Sequence, residues 1–101
     1  MSHRIRFTEE ARADIKRLYA FALDASDDDW SYAERTIETI GVGIEMLTAT
    51  PFVGRKAAAE VLHRELVIGF GSAGFVVLYE VEDGEVVTII AVRHQREDDY
   101  R

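Results

Sequence analysis

The sequence contains no cysteine, which excludes disulfide scaffolds, thiol nucleophiles and cysteine-ligated zinc. Its three histidines, His3, His63 and His94, are widely separated without ligand spacing, so no metal site is expected. No apolar run is long enough to span a bilayer. Met1-Ser2-His3-Arg4 leads straight into an alternating segment and lacks the basic-then-apolar pattern of a signal peptide. Walker loops, Gly-x-Gly-x-x-Gly and any Ser/His/Asp array of supporting spacing are also missing, so no cofactor is expected. A disulfide-free chain fits a reducing, cytoplasmic setting.

An excess of basic charge is lacking too. The net charge is −7. Residues 1–24 hold five basic and four acidic side chains, residues 25–50 one and six, and residues 51–101 six and nine. Binding to a phosphate backbone draws most of its affinity from Lys and Arg displacing counterions, and no segment carries the surplus such binding needs. Nucleic acid is therefore disfavoured as the main ligand. What is present is apolar: 48% of the 101 residues, enough for one core and one domain spanning 1–101.

The hydrophobic pattern gives the elements. Arg4-Ile5-Arg6-Phe7 alternates as a short strand with one buried face. Thr8 suits a helix N-cap ahead of Glu9 and Glu10, and Ala11, Ile15, Leu18, Tyr19 and Ala22 recur at helical spacing, predicting a helix from about 9 to 24. Asp27-Asp28-Asp29 interrupts the pattern and can cap a second helix over roughly 29–49, marked by Ala33, Ile37, Ile40, Ile44 and Leu47. Gly41 and Gly43 inside it imply close packing or a bend. The short connection predicts an antiparallel helix hairpin.

Thr50-Pro51 ends the second helix, and 51–60 is expected to be a loop. Strands are predicted at 61–68, 75–81 and 86–92, with a glycine-rich turn at 69–74 and an Asp83-Gly84 hairpin. The order strand-helix-helix-strand-strand-strand predicts an α+β fold, with the helix pair on one face of a mainly antiparallel four-stranded sheet.

Several segments, in order, resemble the ParE/RelE toxin superfamily, and within it the ParE branch. They are Phe7-Thr8-Glu9-Glu10-Ala11 with Asp14-Ile15, Leu47-Thr48-Ala49-Thr50-Pro51 with Gly54-Arg55, His63-Arg64-Glu65-Leu66, Val77-Leu78-Tyr79-Glu80-Val81, and Val92-Arg93-His94-Gln95-Arg96-Glu97-Asp98. The resemblance implies the toxin of a type II toxin–antitoxin system, of the plasmid-stabilisation type, held in a hetero-oligomer by a cognate, ParD-like antitoxin. ParE-like members poison DNA gyrase, whereas RelE-like members cleave mRNA on the ribosome.

The residues favour the first of these. RelE-like chemistry must activate a ribose hydroxyl and stabilise a phosphorane, yet the strands from 61 to 92 contain only Arg64 and His63 as basic or titrating nitrogen groups. A gyrase-binding inhibitor without chemistry of its own is the first expectation, with Arg64, Arg93, His94 and Arg96 as recognition residues. The ribonuclease alternative would use His94 or Tyr100 as acid or base, with Arg64 and Arg93 on the phosphorane. A third reading is an inactive toxin fold serving as an interaction module. Each residue also has a plainer role: Arg64 paired with Glu65 or Glu80, Arg93 and Arg96 in a solvated tail, His94 as a packing residue, Tyr100 as a tail anchor, Tyr79 as core or a sheet-edge aromatic. Trp30 is either an exposed anchor or a helix–loop contact. The acidic stretch 25–50 predicts Lys or Arg on the antitoxin segment that covers it.

Overall fold

The computed structural model describes residues 3–57, 62–82 and 85–97. Its elements are β1 (Arg4–Phe7), α1 (Glu9–Ala25), α2 (Trp30–Glu45), a 3-10 turn at Met46–Thr48, β2 (Arg55–Lys56), β3 (His63–Phe70), β4 (Ala73–Glu82) and β5 (Val86–His94). The sheet order is β1-β5-β4-β3-β2. β1 lies parallel to β5 and the other pairs are antiparallel. The class is as expected, but the sheet has five strands where four were predicted. The extra one, β2, falls in the expected loop. Two residues are too few for period-two alternation to register, and their pairing with Arg64 and Glu65 is fixed by tertiary structure.

Both helix starts follow from side-chain capping. The Thr8 hydroxyl accepts from the Ala11 amide, and the Asp29 carboxylate accepts from the Ser31 and Tyr32 amides. Between the helices, Asp27 and Asp28 take positive φ angles of 54° and 62°, a region that Asp tolerates better than most residues. The second helix ends earlier than the pattern suggests, tightening into the 3-10 turn. Strands β3 and β4 extend further into the glycine-rich segment than predicted, because Gly69 and Gly74 pair with each other inside the ladder. Only Gly71 and Ser72 remain as the turn, Gly71 at φ 61°. The Asp83-Gly84 hairpin lies outside the described residues.

The core lies between the helices and one sheet face. Leu18, Ile40, Leu47, Val77, Tyr79, Val87, Ile89 and Val92 are its largest fully buried side chains, and burying each contributes roughly 1.5–3 kcal/mol. The helical glycines differ. A Cβ on Gly43 would come within 2.5 Å of Ile68 Cδ1, whereas one on Gly41 would meet nothing within 4 Å. Gly43 is therefore a close-packing position and Gly41 is not. Gly41→Ala is expected to stabilise the fold by about 0.5–1 kcal/mol through the backbone entropy of the unfolded chain. Chemical denaturation should show a higher midpoint at unchanged slope, and a lower midpoint would refute the assignment.

Candidate functional site

The four basic or titrating residues expected to form one site are divided between two regions. Arg64 pairs across the sheet with Tyr79, while His94 pairs with Phe75. Four residues along β4 separate those levels, roughly 13 Å at the usual strand rise. Arg93, His94 and Arg96 gather at the exit of β5. Tyr100 lies outside the described residues.

At the β5 exit the chain is held by α1. Asp14, buried at 5% exposure, accepts from the Val92 amide at 2.9 Å. Arg17 donates to the Val92 carbonyl at 3.3 Å and to Glu97 Oε2 at 3.0 Å. Arg93 turns its guanidinium back on its own chain, donating to the carbonyls of Glu97 at 2.8 Å, His94 at 3.3 Å and Gln95 at 3.5 Å. It closes a turn and is not part of a solvated tail. The His94 amide donates to Glu97 Oε1 at 2.8 Å, and its Nδ1 accepts from the Arg96 amide at 3.0 Å. Neutral His94 thus carries its proton on Nε2. Its ring stands edge-on to Phe75, centroids 5.6 Å apart, and 6.3 Å from Phe21. A groove of about 450 Å³ opens here, lined by Phe21, Tyr32, Ser72, His94, Arg96 and Glu97 among others. Arg96 is exposed.

At the other end, Arg64 pairs with neither Glu65 nor Glu80, contrary to expectation. Glu65 binds Arg55 at 3.1 Å and Glu80 lies 3.2 Å from His63 Nε2. Arg64 instead donates to the carbonyls of Gly54 at 3.0 Å and Phe52 at 3.4 Å, and lies 5.0 Å from the Phe52 ring centroid. The reason is geometric. Arg64 projects from the helix-side face, where the loop after Pro51 supplies unpaired carbonyls, while the odd-numbered Glu65 projects from the opposite face. The same loop is pinned by Tyr79. Its phenol, fully buried, donates to the Pro51 carbonyl at 2.7 Å and accepts from the Gly54 amide at 2.9 Å.

Burial pushes the Tyr79 phenol above its ordinary pKa, with the Gly54 hydrogen bond and the Arg64 charge opposing the shift. The folded state therefore holds its proton more tightly than the unfolded chain does. The associated stability is complete below about pH 10, the ordinary tyrosine value, and is lost as pH rises through the folded pKa. Unfolding free energy should fall above about pH 10, and Tyr79→Phe should flatten that limb. An equally steep limb in the variant would show that other groups cause it.

The roles of Asp14, Arg17 and Gly54 were not assigned from sequence. Asp14 left a trace, since it is an acidic residue on the stripe formed by Ala11 and Leu18. Of the remaining cations of the sheet, Arg6 meets Glu82 at 3.4 Å, with Glu82 in turn bound to the Thr88 hydroxyl, while Arg4 and Lys56 are exposed. Among the described residues no cluster of His, Asp or Glu could hold a metal ion, and no helix is long and apolar enough to cross a membrane.

The family described as the ParE toxin of type II toxin–antitoxin systems, parDE, matches residues 5–99. The chain belongs to the ParE toxin family. This ParE-family chain is also similar in structure to a chain of the chromosomal ParDE toxin–antitoxin system of P. aeruginosa, with TM-score 0.76 and 18% identity over 92% of this chain and 96% of that one. It resembles the E. coli toxin RelE, in a mutant with two arginines replaced by alanine and in the free state, with TM-score 0.63 and 18% identity over 91% and 82%. A chain of the RelBE2 toxin–antitoxin complex of Mycobacterium tuberculosis matches with TM-score 0.56 and 22% identity over 94% and 100%. At these identities the likeness concerns the fold. A search of curated protein sequences gave no match.

Proposed function

We propose that this ParE-family toxin acts by binding and inhibiting DNA gyrase in the cytoplasm, without chemistry of its own, and that a cognate antitoxin neutralises it. The observation that supports a protein target is that most of the sheet's cations have partners within the chain, Arg4 and Lys56 being exposed. Arg6, Arg55 and His63 face carboxylates, while Arg64 and Arg93 bind main-chain carbonyls. A polyanion gains affinity only from cations available to displace its counterions. Arg96 and His94, beside the groove, are the recognition residues at the β5 exit; Arg93 shapes the surface around them, and Arg64 braces the loop after Pro51.

The antitoxin would cover the toxin's acidic side. Glu34, Glu38 and Glu45 are on α2, with Val42 and Met46 exposed among them. An antitoxin segment bearing Lys or Arg between apolar residues fits that face.

The test is supercoiling by purified gyrase. Inhibition at micromolar toxin is the expected result, and full activity at that concentration overturns the reading. The ribonuclease alternative rests on His94, whose Nε2 is left for proton transfer. Transcripts cut within codons on stalled ribosomes, with cutting lost in His94→Ala, would replace the gyrase reading.

A further inference from the structure

Among the described residues, the loop after Pro51 is both apolar and exposed, and it is firmly braced. Phe52 and Val53 are 60% and 54% exposed, and Leu62, just before β3, is 70% exposed. Exposed apolar side chains are common on protein surfaces, but they are seldom carried on a loop fixed by buried side chains. This one is held by four hydrogen bonds from two side chains. Tyr79 binds Pro51 and Gly54 from below, and Arg64 binds Phe52 and Gly54 while its guanidinium stacks near the Phe52 ring. Gly54 is buried against Tyr79 so closely that no side chain fits there. The loop is thus ordered before any partner arrives, which removes part of the cost of ordering it on binding.

Its electrostatic setting differs from the rest of the molecule. Residues 51–66 carry Arg55, Lys56 and Arg64 against Glu60 and Glu65, a balance of +1, so the other 85 residues carry −8. Arg55 and Lys56 are exposed on β2 beside the loop. An aromatic side chain with an arginine at its back and cations at its rim has the composition of a binding hot spot. The complement of such a patch is an apolar recess ringed by carboxylates.

We propose that the corner formed by Phe52, Val53, Arg55, Lys56 and Arg64 is a second contact on the toxin's protein target, separate from the β5 exit, and that it seats on an acidic surface with an apolar centre. The assignment rests on the gyrase reading. Arg64 and Tyr79 are positioning residues within it, and Phe52 and Lys56 touch the partner.

The experiment is gyrase supercoiling inhibition with Phe52→Ala, Lys56→Glu and, as an exposed aromatic at a distant position, Trp30→Ala. The half-inhibitory concentration should rise about 10-fold or more for the first two, as for a hot-spot side chain, and stay within about 2-fold for Trp30→Ala. Raising salt should shrink the Lys56→Glu defect and leave that of Phe52→Ala, because screening acts on charge alone. Thermal melts matching wild type would exclude unfolding, which is not expected at side chains this exposed. If wild type inhibits and both corner variants inhibit equally well, the second contact is overturned while the gyrase reading stands. If wild type does not inhibit, the gyrase reading fails and this assignment falls with it.

Discussion

Gly54→Val is expected to cost about 3–5 kcal/mol of stability, combining overpacking with loss of buried hydrogen bonds. Any Cβ at this position would lie 2.6 Å from Tyr79 Oη and 2.7 Å from the Glu65 carbonyl oxygen. The second of these is backbone inside β3, paired to β4, and cannot swing aside as a side-chain end would. Gly54 does not occupy the left-handed region, so the effect is steric and not conformational. A domain this size has about 5–15 kcal/mol of stability in all, and Tm should drop by roughly 15 °C or more. Gly54→Ala should lose less in the same direction. Adding Tyr79→Phe removes the nearest clash, so the Gly54→Ala/Tyr79→Phe pair should cost less than the sum of its single changes. A Tm for Gly54→Val within about 3 °C of wild type would mean that the loop can lift off β4 cheaply.

Asp14→Ala should cost about 2–4 kcal/mol, because it strands the amide of the fully buried Val92 and removes a charge partner from Arg17. The bond spans 78 residues of sequence and ties the middle of α1 to β5. Asp14→Asn keeps an acceptor oxygen for Val92 and should retain about half or more of that stability. Hydrogen exchange at Val92 separates the cases: fast exchange is expected in Asp14→Ala and slow exchange in Asp14→Asn. Equal protection in both would show that Arg17 alone holds the strand. Loosening here should also disturb the groove, since Arg17 and Glu97 line it together.

The fold was legible where a pattern extended over several residues. Thr8 and the cluster Asp27-Asp28-Asp29 announced both helix starts, and the helical spacing of Ala11, Leu18 and Ala22 identified the face that α1 buries. Glycine was harder to interpret. Gly69 and Gly74 look like a turn by composition, yet they are a cross-strand pair, because a ladder is held by main-chain bonds that glycine makes as well as any residue. Gly41 and Gly43 are two residues apart on the helix, and only tertiary contact tells them apart.

The site was less legible for the same reason. Arg64 and Arg93 were singled out from the sequence, but a residue's type does not say whether its partner is a carboxylate or a carbonyl. Both found carbonyls that local irregularity had left available: the loop after Pro51 for Arg64, the turn after β5 for Arg93. Tyr79 was expected in the core or at a sheet edge and lies in the core, while its hydroxyl's task depended on where Pro51 and Gly54 would land. Such pairings depend on three-dimensional closure and leave no periodic trace.

The parallel pairing of β1 with β5 has a consequence for synthesis. Arg4–Phe7 emerges from the ribosome well before its partner, Val86–Ile89. At about 5–20 residues per second, some 80 residues of translation correspond to roughly 4–16 s during which the first strand has no ladder to join. The sheet of a nascent chain therefore stays incomplete over that interval, in which a neutralising partner can reach it before it is finished.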